Sequence, residues 1–273
     1  MAGHFSYTYA VVPFSPSLER TALGGVRGVA DRPVRLVRSG EVAAAVSPVP
    51  EADFSQAALK AHLEDLDWLE PTARAHHSVV ESLAARTTVL PLRLATVYLD
   101  DTRVAQMLEA GRATFAGLLA RLTGHAEWGV KVYVERPASA AVPPADTAPP
   151  LEEPDPGRAY LRQRRHQHQA RRDAWHTAEE VLRRIDAEVR GLAAQRARHR
   201  PQQGRLADTG GENVANDAYL VPHELAEEFR RRVRRAAEDA PGVRVDITGP
   251  WAPYSFAEPG VQEPGLQEGA APG

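Results

Sequence analysis

Cysteine is absent from the 273 residues, which excludes disulfides and thiolate zinc sites. No run of about 18 apolar residues occurs, so no membrane-spanning helix is expected. The opening stretch MAGHFSYTYAVVPF lacks a basic region followed by an apolar core, so no signal peptide is expected and a cytoplasmic setting is the default. Lysine is confined to Lys60 and Lys131, leaving arginine as the basic residue almost everywhere. Phosphate-binding loops and dinucleotide fingerprints are missing; Gly24-Gly25 and Gly210-Gly211 are isolated pairs that read as turns. No G-x-S-x-G occurs either, which leaves serine hydrolase chemistry without support.

What remains is an ordinary globular balance, 43% hydrophobic and 25% charged. The net charge of −3 is unevenly spread. Residues 158–200 carry twelve arginines against five acids, a net of +7, which leaves −10 for the rest. Such asymmetry suits an acidic partner or a charge-matched internal contact.

Periodicity predicts an α+β chain. SYTYAVV (6–12) alternates as a strand, with Tyr7, Tyr9 and Val11 on one face. VRLVRSGEVAAAVS (34–47) reads as a hairpin about Ser39-Gly40. Residues 55–86 are helical, and Pro71 predicts two helices or a kink near Glu70. TVLPLRLATVY (88–98) reads as buried extended chain, made irregular by Pro91. A helix opens at Asp100-Asp101-Thr102 and closes at Gly124. EWGVKVYVE (127–135) is the cleanest strand, with Trp128, Val130, Val132 and Val134 on one face. Residues 136–157 hold seven prolines, the composition of a stiff connector or loop. Residues 158–200 carry one long helical signal whose seam is Trp175, Ala178, Leu182, Ile185, Val189 and Leu192. Its first half lacks an apolar stripe and is expected to meet solvent or a partner. A strand (213–221), a helix (222–239) and a strand (243–249) follow, and 257–273 has the composition of a disordered tail.

The chemical candidates weigh little. Adjacent His76 and His77 diverge by about 100° on a helix, and His166 and His168 by roughly 200°, so no pair shares an ion. His76 reads instead as a half-buried helix histidine with a hydrogen-bonded ring. Glu64, Asp65 and Asp67, before Trp68, resemble an acid pair for general acid–base work, but nothing in the sequence supplies a cleft, and acids early in a helix favour the dipole. The Arg-rich span 158–200 is the alternative basis for a nucleic-acid-binding regulator, although only Tyr160 and Trp175 accompany its arginines. Arg93, a charge within an apolar stretch, must reach solvent, an internal acid or a partner. The closing segment GPWAPYSF (249–256) places Trp251, Tyr254 and Phe256 after the last strand, where they read as an aromatic latch on the sheet end or the long helix.

Several segments resemble the gas vesicle protein F/L family. WLEPTARAHHSVVESL and TVLPLRLATVY are similar to its central signature, and EWGVKVYVE to its mid-chain strand. PGRAYLRQRR, NDAYLV and GPWAPYSF are similar to segments of its second half. Ala95 stands where the family pattern carries glycine. The resemblance implies two lobes: residues 1–123, and residues 124–256 as a modified ferredoxin-like sheet with the loop 136–157 and the long helix 158–200. It implies no enzymatic activity, no cofactor and no metal. The implied partners are the main hydrophobic shell protein and other gas vesicle accessory proteins, with no nucleic acid, in support of nucleation or growth of the vesicle wall. The expected location is cytoplasmic, associated with the gas vesicle. Tyr7, Tyr9, Arg93, Arg162, Arg164 and Arg165 are the candidate partner-binding residues; Trp128, Trp175, Trp251, Tyr254 and Phe256 are the candidate structural rings.

Overall fold

The computed structural model describes residues 3–135, 156–201 and 211–258, with side chains left out at 156–163 and 166. Most of the Pro-rich span and nearly all of the tail lie outside the described residues. The chain divides into two compact units, one running to Glu127 and resuming at Pro250, the other spanning Trp128–Gly249. This corrects the expected boundaries: the closing segment from Pro250 belongs with the first unit, because its apolar side chains are buried there.

In the first unit, β1 (His4–Pro13) is followed by α1 (Leu18–Ala22), then β2 (Arg35–Ser39), β3 (Val42–Pro50), α2 (Glu51–Phe54), α3 (Gln56–His62) and α4 (Leu66–Ala84). The two-residue strands β4 (Leu90–Pro91) and β5 (Val97–Tyr98) precede α5 (Asp101–Ala110) and α6 (Arg112–Leu122). The sheet order is β2-β3-β1-β4, with β5 also paired to β1. The β2–β3 hairpin turns on Gly40, whose φ of 61° is the left-handed conformation that glycine adopts without penalty. Antiparallel pairing of β1 with β3 shifts register between Thr8 and Ala10, a bulge at Tyr9. That extra residue swaps the facing of everything after it. Tyr7, Tyr9, Ala10 and Val12 therefore share one core with Val79, Val80 and Leu83 of α4, while Val11 leaves the face that simple alternation predicts for it.

The predicted break at Pro71 falls elsewhere. Pro71 sits inside α4. Asp67 and Pro71 are both exposed, so the backbone bond that proline removes lies where water substitutes for it. The chain breaks instead at Leu63–Asp65, where the Asp65 carboxylate accepts from the Asp67 N–H at 3.0 Å and caps α4. The predicted helix from Asp100 is capped by Asp100 itself, which accepts from the Arg103 N–H at 2.8 Å, and it divides at Gly111. The stretch 88–98 forms only the short strands β4 and β5.

The second unit is built on β6 (His125–Glu135), α7 (Pro156–Glu188), β7 (Gln195–His199), β8 (Gly211–Pro222), α8 (Ala226–Ala236) and β9 (Val243–Trp251), with the unit boundary falling inside β6 and β9. Its sheet order is β7-β8-β6-β9, the βαββαβ arrangement of ferredoxin-like folds. The long helix is shorter than its sequence signal, which concealed β7; Gln195–His199 pairs antiparallel with β8. Trp128, Val130, Val132 and Val134 share the predicted face of β6 and pack with Ala174, Ala178, Val181 and Ile185 of α7 and Phe229, Val233 and Ala236 of α8. Trp175 and Leu182 flank the α7 seam half-buried rather than forming its centre. Arg196 ties the end of α7 to the sheet, donating to Asp186 at 2.7 Å and to Asp217 at 2.6 Å.

Candidate partner-binding surfaces

Tyr7 and Tyr9 are fully buried, which corrects their assignment to a partner surface. β1 is an inner strand, so the edge that the sequence suggested there is already paired. The two hydroxyls work inside the unit. The Tyr7 Oη lies 3.0 Å from His76 Nδ1 and accepts from the Ala95 N–H at 3.0 Å. The Tyr9 Oη accepts from the Val29 N–H at 2.8 Å. The rings of Tyr7, Tyr9 and His76 pack at centroid distances between 4.9 and 5.7 Å. Burial lowers the His76 pKa to about 4, assisted by neighbouring His77; the Leu92 carbonyl pulls the other way without closing a well-aligned bond to Nε2. Burial raises both tyrosines above their ordinary range.

Arg93 is exposed and forms an ion pair with Glu258. Arg164 and Arg165 are exposed on α7, while the side chain of Arg162 lies outside the described residues. Among the structural candidates, Trp128 and Phe256 are buried and Trp175 is half-buried. The latch engages α4 of the first unit. Ala252 and Phe256 are buried in it. The Phe256 carbonyl accepts from Arg121 at 2.9 Å, and Glu127 receives the Ser255 N–H at 2.8 Å and its hydroxyl at 2.7 Å. Trp251 and Tyr254 face outward, 41% and 36% exposed, with their rings 5.7 and 6.3 Å from that of His77. Alternation of proline with aromatic residues located this segment, yet it gave no sign of which rings turn out.

The acids near Trp68 are exposed, and Asp65 is the α4 cap. Among the described residues no three His, Asp or Glu side chains stand close enough to hold a metal ion, and no helix is long and apolar enough to cross a membrane. On α7, His168, Arg171, Arg172, Trp175 and His176 line an open groove of about 420 Å³.

The family model for gas vesicle synthesis protein GvpL/GvpF matches residues 5–258. The chain belongs to the GvpL/GvpF family. It is 44% identical to gas vesicle protein L of a Streptomyces species over 96% of this chain and 95% of that protein. Against gas vesicle protein F of the same organism the identity is 26%, over 93% and 99%. Two solved structures share the fold. GvpF from an Anabaena species has a TM-score of 0.62 at 20% identity, covering 94% of this chain and 97% of that one. GvpF from Microcystis aeruginosa has a TM-score of 0.60 at 17% identity, covering 93% and 99%. The GvpL/GvpF assignment makes this a gas vesicle accessory protein, and the α+β architecture agrees with that of the two solved structures.

Proposed function

We propose that this chain is a non-catalytic factor of gas vesicle assembly that binds the main, hydrophobic shell protein and supports nucleation or growth of the wall, acting in the cytoplasm at the forming vesicle. Family membership across 5–258 is the observation that carries the reading. A subunit destined for a gas-filled wall carries apolar, strand-forming surface before incorporation, and such surface aggregates unless covered. The pair Trp251 and Tyr254 is the surface best suited to cover it. Both rings pack near His77, Tyr254 also near His76, and their chain neighbours Ala252 and Phe256 are buried, so they present apolar area with little ordering cost, which is how aromatic anchors act at interfaces. Arg93, Arg164 and Arg165 are candidate polar contacts beside such anchors or with acidic accessory proteins.

Co-purification of the shell protein tests this. Wild-type chain is expected to retain it, and the double variant Trp251→Ser, Tyr254→Ser to retain about tenfold less or worse. Equal retention by the double variant would discard the aromatic surface. Failure of the wild type to retain shell protein, or steeply salt-sensitive binding to nucleic acid in its place, would discard the functional reading.

A further inference from the structure

The α7 groove and the α3–α4 turn are complementary in charge, each with exposed apolar surface among its charges, and we propose that the turn of one copy docks into the groove of a second copy, head to tail. The groove side is basic and aromatic. Arg164, Arg165, His168, Arg171, Arg172 and Trp175 recur at three- and four-residue spacing, which places them along one face of α7. Arg171 is engaged by Glu212 at 2.8 Å; Arg164, Arg165 and Arg172 have no ion-pair partner among the described residues, and all three are exposed. Trp175 offers a half-buried ring among them.

The turn side is the inverse. Its sequence is Leu63-Glu64-Asp65-Leu66-Asp67. Leu66 is 76% exposed and Leu63 45%, so both leave apolar surface open among the described residues. The three carboxylates around them are exposed and have no ion-pair partner among the described residues. An apolar tip ringed by acids fits an aromatic floor ringed by arginines, with the leucines on Trp175 and the carboxylates on the guanidinium groups. The charge division of the chain, +7 over 158–200 and −10 elsewhere, favours contact between unlike parts of two copies. Because the two patches differ, the contact is heterologous: each bound copy leaves one free patch at either end, and the assembly grows until it closes. The contact does not depend on shell binding.

Sedimentation of the purified full chain tests it. At about 0.05 M salt the average mass is expected to rise with concentration, and at about 0.5 M salt to fall back to the monomer, since screening shortens the reach of exposed charges. A groove variant (Arg164→Gln, Arg165→Gln, Arg172→Gln) and a turn variant (Glu64→Gln, Asp67→Asn), neutral at their altered patches so that these cannot attract each other, are each expected to be monomeric. Mixed together they regain one intact groove and one intact turn, so they are expected to form a dimer and stop there. That dimer also establishes that both variants are folded. Leu66→Ser is expected to weaken the wild-type association about tenfold, an effect that charge alone would not produce. A wild type that stays monomeric to about 0.1 mM at low salt overturns the proposal. So does association that survives in both charge variants, or a mixture of folded variants that fails to pair.

Discussion

Acidification should weaken the first unit through His76. The ring is 3% exposed, and burial, reinforced by His77, lowers its pKa from 6.5 to about 4. The folded state therefore prefers the neutral ring, whereas the unfolded chain accepts a proton at its ordinary value. The stabilising preference is complete above pH 6.5, is lost as pH falls from there, and is exhausted below about pH 4. The difference between the two pKa values corresponds to roughly 3 kcal/mol over that window. Tyr7 and Tyr9 of β1 face the ring, with His77 on its own helix and Tyr254 of the latch beyond; Glu81 and Glu127 act on Tyr254. None of these supplies a carboxylate directly to His76; the Leu92 carbonyl favours the imidazolium, and burial outweighs it. The assay is urea unfolding of wild type and His76→Gln from pH 8 to pH 4, read with hydrogen exchange at the β1 amides. Carboxylates titrating in the same range contribute equally to both proteins, so the difference between them isolates the histidine. The wild type should lose about 3 kcal/mol more than the variant. Parallel curves would refute the reasoning, and a wild type that gains stability on acidification would reverse its sign.

Ala95 has a φ of 62°, and Ala95→Gly should raise unfolding stability by about 1 kcal/mol, measured by denaturant titration, by relieving a left-handed alanine. A β-carbon added at Gly28 would come within 2.1 Å of the Tyr9 hydroxyl; Gly28→Ala should cost about 1–3 kcal/mol, and Tyr9→Phe in the same background should recover part of it. Asp217→Ala should destabilise the second unit by about 2–3 kcal/mol, because the half-buried Arg196 guanidinium loses its charged acceptor while retaining Asp186.

Much of the fold was legible from local pattern. The β2–β3 hairpin, the inward face of β6 and the apolar stripe of α8 all follow from alternation or from three- and four-residue spacing, because each buries only one face. The failures share a different cause. The bulge at Tyr9 inserts one residue into β1, and no residue type marks it, so the facing of Val11 could not be read. The strand β7 is the tract QRARH, which is polar and arginine-rich; its strand character comes from pairing with β8 and from the Asp186 and Asp217 contacts of Arg196, both of them tertiary. Pro71 misplaced the helix break because the cost of proline depends on whether water can replace the lost bond, a matter of exposure. Tyr7 and Tyr9 looked like partner residues because an alternating strand does not announce whether it is inner or outer.

The buried tyrosines explain why the exposed rings sit where they do. Tyr7 holds the Ala95 turn and His76 through a single hydroxyl, and His76 in turn lies against Tyr254. The aromatic layer is thus continuous from the central strand through α4 to the latch. Its inner members are immobilised by hydrogen bonds to backbone and to one another, and only its outermost rings, Trp251 and Tyr254, meet solvent. An outward ring backed by such a layer loses little freedom on binding, so its contact area converts into affinity with less entropic cost than a ring on a loose loop would incur. The same continuity makes the surface sensitive to the interior: protonating His76 perturbs the layer beneath Tyr254. A partner held by these two rings should therefore be released over the pH window in which the unit weakens.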